Sequence, residues 1–395
     1  MTNKWLLALL LSGACLRTLA ADAPLPTLPQ VYSGAMLPHE AVRALSHTEQ
    51  LLPVRIVHRA GAVQPLRTRA AAFPAIQFED KGVKLDLYDY LAVNRVAGIL
   101  VLKNGEVALE HYDLGATPQT RWSSWSLAKS ITSTLTGAAI ADGFINNLDE
   151  PVTRYVPALR GGAYEGVTIR HILTMSSGVK WNETYTDPTS DRRQLLQRQI
   201  ARQPGKLLEF MNSRSRAAPP GTVLNYNTGE TVVLGAVIEG ATHRPLAEYL
   251  SEKIWSKAGM EQDATWWVES PNGMGVAGTG LAATLRDYGR FGLVAAADGK
   301  VGGTSILPPG WFDEAGTAKV IGGKRVDYGY MWWVPEGKDI LAKGAFEGEG
   351  IFGQFIYINR REQLVIIVLS ARSKPSPEFQ ADDGAFFEAV TRALH

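Results

Sequence analysis

Two β-rich regions stand at opposite ends of this chain, and a long stretch of helical spacing separates them. The first, Gly98–Tyr112, is two runs of apolar and β-branched residues around Asn104-Gly105, a pair that suits a tight hairpin turn. The second comprises Tyr328–Val334, Ile351–Ile358 and Leu364–Leu369. Between them, helical spacing runs through Ser126–Asp142, Val167–Met175, Arg193–Met211, Thr231–Glu239, Pro245–Lys257 and Leu285–Ala295, and a last helix is expected at about 381–394. Strands at both ends with helices between predict an α/β fold of the α+β kind. One antiparallel sheet is completed by the two ends of the chain, flanked by N- and C-terminal helices, with a mainly helical part inserted. The domain spans 77–395, with the insertion at about 130–295 and the sheet from about 90–125 and 296–395. Residues 21–76, rich in Pro, Ala and Arg, read as an extended arm wrapped on that domain.

Residues 1–20 have the form of a secretory signal: Lys4, an apolar core from Trp5 to Leu11, and small residues before a cut after Ala20. A lipoprotein signal is the rival, because Cys15 follows Ser12-Gly13-Ala14, although Ser12 stands where leucine is usual. Export to the periplasm is the expectation. The apolar run is too short to span a bilayer, and no other stretch is long enough to do so. Cys15 is the chain's single cysteine, so a chain cut after Ala20 has no disulfide, thiolate or cysteine–metal chemistry. It depends on an ordinary large core, compatible with 45% hydrophobic residues. A net charge of +1 gives no sign of a nucleic-acid partner.

The chemistry concentrates at Ser126-Leu-Ala-Lys129, where the first long helix opens. Residues three apart on a helix share a face, with Cβ atoms roughly 5–6 Å apart. A serine hydroxyl is a weak nucleophile until a base takes its proton. A lysine serves as that base when desolvation or a neighbouring cation lowers its pKa. With a cap at Ser123-Ser124, Ser126 falls in the first turn, where unpaired N–H groups and the helix dipole favour anions. A second S-x-x-K match, Ser177-Gly-Val-Lys180, sits in a turn, where a capping serine and a surface lysine are the plain reading. Downstream, Pro219-Pro220-Gly221 leads into Asn225-Tyr226-Asn227-Thr228 before another helix. The Tyr226 hydroxyl can reach the serine and lysine from that loop, and a lysine cation nearby would lower its pKa for proton shuttling. The bland alternative is a tyrosine that packs the loop. No paired histidines, phosphate loop or G-x-S-x-G elbow occur, and His171 reads as structural, so neither metal nor organic cofactor is expected.

Together these segments resemble the serine β-lactamase and penicillin-binding protein superfamily on its class C-like side. The resemblance rests on Ser126-x-x-Lys129, Ile169 through Gly178, Pro220-Gly221 through Thr228, Gly278 through Asp287, and Gly350 through Gln354. The run Trp181–Asp191 is similar to the flap of the 6-aminohexanoate-dimer-hydrolase-like branch, which makes Tyr185 the candidate to close over substrate. The resemblance implies an acyl-enzyme on Ser126, proton transfer by Lys129 and Tyr226, and an oxyanion hole from the amides of Ser126 and Glu349. Thr228 stands where the superfamily often has asparagine, and it keeps a hydroxyl for the substrate. The third motif, usually Lys-Thr-Gly or His-x-Gly, is absent; the chain has Lys343-Gly-Ala-Phe-Glu347-Gly-Glu349-Gly350. Unless Lys343 substitutes for the missing cation, carboxylates there disfavour anionic substrates. A small amide or ester is therefore the expected substrate. A class C-like β-lactamase or D,D-peptidase is the first alternative, and a non-hydrolysing binder of ligand or cell wall the second.

Overall fold

Asn104 and Gly105 both take left-handed φ values, 55° and 80°, so the hairpin closes with the two-residue turn its sequence calls for. It joins β1 (Val96–Lys103) to β2 (Glu106–Tyr112). The structure, a computed structural model, describes residues 24–375 and 379–395. Residues 1–20, expected to be a leader and containing Cys15, lie outside the described residues. The other strands of the same sheet come from the carboxyl end: β3 (Phe346–Gly350), β4 (Gln354–Asn359) and β5 (Leu364–Ser370). The order is β3-β4-β5-β1-β2, antiparallel throughout. Both ends of the chain thus build one sheet.

Every residue of β1 and β5 is buried, which is why the sequence shows unbroken apolar runs there instead of alternation. Leu100, Leu102, Val365 and Ile367 face the inserted helices. Ile99, Val101, Ile366 and Val368 face the C-terminal helix Asp383–Ala393 through Phe386, Phe387 and Val390. Contact on the first face is close. A Cβ on Gly289 or Gly292 of the helix Leu285–Ala296 would come within 2.5 Å of Leu100 or Val365.

The insertion holds two long buried helices, α1 (Leu127–Ala141) and α2 (Thr228–Thr242), packed on each other, with α1 also against β3. The helical stretch expected at Arg193–Met211 is two helices, Asp191–Ile200 and Lys206–Asn212, broken where Pro204 meets Gly205 at φ 78°. Tyr328–Val334 is no strand. Met331 takes φ 57°, its N–H bonds Leu173 O and its carbonyl accepts from Ser130 Oγ, so helix α1 and its neighbour fold this aromatic run into a turn. Trp333 alone pairs with β3, at Glu347.

The segment expected as an extended arm carries the helices Leu28–Ser33 and Pro38–Ser46 and the strand Val54–Val57. Proline opens both helices in the first turn, where its missing N–H costs nothing. The strand pairs with Ala264–Trp267 in a second sheet, which continues through Leu281–Ala283 to Trp122–Ser123.

Gly137 on α1 tests this packing. An added Cβ would lie 2.7 Å from the Trp311 ring. Gly137→Ala gains up to about 1 kcal/mol of helix propensity but overpacks a rigid neighbour, at about 1–3 kcal/mol. The expected outcome is a lower urea midpoint with an unchanged m-value.

Candidate active site

The short strand Trp122–Ser123 delivers the chain to α1 through a strained turn. Ser124 N–H bonds Leu281 O, and Trp125 then takes φ 47°, a rare conformation for so bulky a residue, costing on the order of 1–3 kcal/mol. Three rings hold Trp125 there edge-on: Phe352 at 4.9 Å, Tyr32 at 5.3 Å and Trp267 at 6.0 Å. Ser126 follows as the N-cap residue, and helix geometry starts at Leu127, not at the Ser123-Ser124 pair. Its side chain caps no backbone N–H, so Oγ remains available.

Lys129 is 1% exposed. Its Nζ donates to Ser126 Oγ at 2.9 Å and to Gly278 O at 3.1 Å. Among the described residues it has no carboxylate within ion-pair distance. Burial lowers its pKa to about 7; Glu183 pulls it up and Arg192 pushes it down. The loop before α2 brings the Tyr226 hydroxyl into a hydrogen bond with Ser126 and its ring to 5.2 Å from Lys129 Nζ. Trp333 stacks on that ring at 5.5 Å, and Tyr328 meets it edge-on at 6.2 Å. Ser126, Lys129 and Tyr226 thus meet at one point.

One expectation about Tyr226 is overturned. Its pKa is raised, not lowered: burial dominates, Glu183 adds to it, and the bond with Ser126 only partly offsets them. A lysine buried to a pKa of about 7 supplies too little positive charge to stabilise a phenolate. Tyr226 therefore keeps its proton at neutral pH.

Thr228 is buried and turned toward Glu183, with its N–H on Oε2 at 3.0 Å and its Oγ1 on Oε1 at 2.5 Å. The Trp181 indole N–H bonds the same carboxylate. Tyr185 is half-buried beside Tyr226, with Tyr32 at 6.4 Å, and burial raises its pKa. Its carbonyl accepts from Arg193 Nη1 at 2.9 Å. Glu349 lies on β3, the edge strand. Glu347 exchanges both backbone bonds with Trp333, away from β4. By the alternation of an antiparallel ladder, the Glu349 N–H points off the same free edge. Next along the strand, a Cβ on Gly350 would stand 2.6 Å from Ser124 O, so this edge adjoins the Ser126 turn.

The second S-x-x-K is a different object. Ser177 Oγ donates to the buried Glu230 carboxyl and accepts Val179 N–H, while Lys180 is exposed. Lys343 is also exposed, ahead of β3. His171 Nδ1 accepts Thr168 N–H in a helix cap.

Sequence reasoning missed three groups: Glu183, Arg192 and Tyr32. Arg192 is buried, stacks on Tyr32 at 4.5 Å and donates to its hydroxyl. Glu183 lies inside the flap run, and its only sequence signal was a carboxylate two residues before Tyr185. Tyr32 comes from the N-terminal segment, which has no local signal of a site.

The chain is similar to known proteins in both sequence and fold. The family model described as Beta-lactamase matches residues 91–391. The 6-aminohexanoate-dimer hydrolase of Paenarthrobacter ureafaciens is 30% identical over 366 residues, 89% of each chain. The structure of a candidate 6-aminohexanoate-dimer hydrolase from Bacillus anthracis superposes with a TM-score of 0.77 at 25% identity, over 89% of this chain and 92% of that one. A family VIII carboxylesterase shares the fold, with a TM-score of 0.59 at 17% identity over 78% and 96%.

The charges around Lys129 give opposed predictions. Labelling of Ser126 by a fluorophosphonate should rise with pH and be half-maximal near pH 7, where Lys129 loses its proton. Glu183→Gln removes a raising influence, so the midpoint moves to lower pH. Arg192→Gln removes a lowering influence, so it moves to higher pH. Rate against pH for the three proteins is the measurement.

Proposed function

The chain belongs to the beta-lactamase family, and on that footing we propose that it is an exported serine hydrolase that cleaves a small amide or ester through an acyl-enzyme on Ser126. The family relatives are hydrolases, and the esterase-like and amide-hydrolysing neighbours agree with this class of reaction. The observation that carries the reading is the 2.9 Å contact between Ser126 Oγ and a buried Lys129 whose pKa is about 7. Such a lysine is largely neutral just above neutrality and can accept a proton. Export rests on the leader-like residues 1–20; among the described residues no helix is long and apolar enough to cross a membrane.

In the proposed cycle, Lys129 takes the Ser126 proton as Oγ forms its bond to the substrate carbonyl carbon. The oxygen of the tetrahedral intermediate accepts N–H groups from Ser126, at the mouth of a 15-residue helix, and from Glu349, on the free edge of β3. The intermediate collapses by breaking the bond to the leaving nitrogen or oxygen. Tyr226 supplies the proton that group needs, and the Lys129 ammonium restores the phenol. The raised pKa of Tyr226 suits a donor that stays protonated between steps. Water then adds to the acyl carbon, losing a proton to Lys129; the carbon–Oγ bond breaks, and the Lys129 ammonium returns that proton to Ser126 Oγ. Tyr185, half-buried and near enough to Tyr226 to feel its charge, is proposed to close on the substrate. Thr228 is proposed to act mainly by holding Glu183 in place, since both its polar groups are bound there.

Intact-protein mass spectrometry after a fluorophosphonate probe tests the nucleophile. One adduct is expected on wild type and on Ser177→Ala, and none on Ser126→Ala. An adduct lost in Ser177→Ala and kept in Ser126→Ala would overturn the assignment. Tyr226→Phe should still label but lower turnover of p-nitrophenyl esters and linear amides by about 10²–10⁴-fold, the usual weight of a proton-transfer group. Nitrocefin turnover above that of those substrates would favour the β-lactamase reading instead.

A further inference from the structure

The helix Leu28–Ser33 is too short to hold itself. Thr27 and Gln30 cap its start reciprocally, and Gly34 ends it at φ 65°, yet six residues stay helical in water only with tertiary contacts. Pro29, Tyr32 and Ser33, at i, i+3 and i+4, share one face of it. That face meets two adjacent arginines, Arg192 and Arg193, in the first turn of the helix Asp191–Ile200.

Both arginines are buried, at 1% and 5% exposure. Among the described residues neither has a carboxylate within ion-pair distance. Asp191 beside them pairs with Arg214 at 2.6 Å, and Glu183 is bonded to Thr228 and the Trp181 indole. A buried cation without an acid depends on neutral acceptors. Arg192 Nη2 donates to the Tyr32 hydroxyl, and its guanidinium stacks on that ring at 4.5 Å. Arg193 Nη1 donates to Ser33 Oγ at 3.2 Å and to Tyr185 O at 2.9 Å, and Nη2 to Pro29 O at 3.4 Å. Three of these four acceptors belong to the short helix, and the fourth is the carbonyl of the flap tyrosine.

We propose that the helix Leu28–Ser33 is a clamp on this arginine pair, with Tyr32 a positioning residue for Lys129 through Arg192, and Ser33 a positioning residue for Tyr185 through Arg193. The roles of Lys129 and Tyr185 rest on the hydrolase reading; the clamp itself rests on contacts alone. Arg192 lies close enough for its charge to be felt at Lys129, Tyr185 and Tyr226, so the place where Tyr32 holds it matters to all three. The other groups around Lys129 are Tyr226 before α2, Glu183 in the flap, and Glu349 on β3, which acts on Tyr226. The groups facing Arg192 are Tyr32, Glu183 and Tyr185. Among the described residues Arg192 has no second side-chain acceptor, so a guanidinium released from Tyr32 moves toward water. Its lowering influence on Lys129 then weakens, and the lysine holds its proton to higher pH.

Hydrogen exchange of the full chain, followed by mass spectrometry, tests the clamp without any substrate. Amides of residues 181–193 should exchange about fivefold faster in Tyr32→Phe and in Ser33→Ala, the effect of losing one hydrogen bond. Ser33→Thr should restore the wild-type rate. Ser33→Ala, at an exposed position, carries this test should Tyr32→Phe fail to fold. Labelling of Ser126 by a fluorophosphonate against pH tests the positioning. The half-maximal pH should rise in Tyr32→Phe, in the direction of Arg192→Gln and by no more. In Tyr32→Phe/Arg192→Gln it should equal that of Arg192→Gln alone, because the tyrosine acts through the arginine. Ser33→Ala should leave the midpoint in place and raise KM for a p-nitrophenyl ester more than it lowers kcat. Unchanged exchange in both single variants would overturn the clamp. An unmoved midpoint in Tyr32→Phe, or a further shift in the double variant, would overturn the link to Lys129. A wild type that labels at no pH would sink the hydrolase reading, and the exchange rates would still decide the clamp.

Discussion

The burial of Lys129 is the constraint around which the site is arranged. An ammonium with only a hydroxyl and one carbonyl as partners is expensive to keep charged away from water, so the lysine sheds its proton near neutrality. A carboxylate placed directly on it would cancel the effect. Glu183 is instead drawn off by Thr228 and the Trp181 indole, close enough to be felt and bonded elsewhere. Arg192 works in the opposite sense from within the flap's following helix. Burial thus sets the basicity of Lys129, and two charges that never touch it adjust it in opposite directions.

Keeping that lysine dry recruits parts of the chain distant in sequence. Tyr226, Trp333 and Tyr328 form one aromatic wall, and Tyr32, Trp125 and Tyr185 another. The second wall depends on the N-terminal segment. Arg193 bonds Ser33 Oγ at 3.2 Å and Tyr185 O at 2.9 Å, so one guanidinium ties that segment to the flap. Tyr32 of the same wall packs on Trp125 in its left-handed conformation, directly before the N-cap residue Ser126, whose side chain caps no N–H and meets Lys129 instead. The strain beside Ser126 and the shelter over Lys129 therefore have a common cause in ring packing.

What could be read in the sequence was what local periodicity encodes. Ser126 and Lys129 meet because three residues along a helix return to the same face, and the sheet's N-terminal half was visible as apolar runs about an Asn-Gly turn. Tyr226 needed the resemblance, since nothing local says where a loop tyrosine points. The run Tyr328–Val334 has strand composition, yet Ser130 of α1 donates to Met331 O and Leu173 O accepts Met331 N–H, which folds it into a turn, a tertiary choice that overrides propensity. The lowered pKa expected for Tyr226 assumed a charged lysine, and burial removed the premise. Tyr32 and Glu183 escaped because each becomes part of the site only through contacts across the fold.

Strand β3 shows how the chain can keep one chemistry while changing what it selects. A main-chain N–H is offered at Glu349 whatever side chain stands there, so the edge is indifferent to sequence. The side chains on the outer face are not, and there the expected cation of the third motif is replaced by two carboxyls at i and i+2. Period-two alternation makes the two properties independent: backbone N–H groups toward the strand's edge, side chains across its faces. Gly348 between them must stay small because Ser130 lies against it, which locks the register and with it the face on which both acids appear.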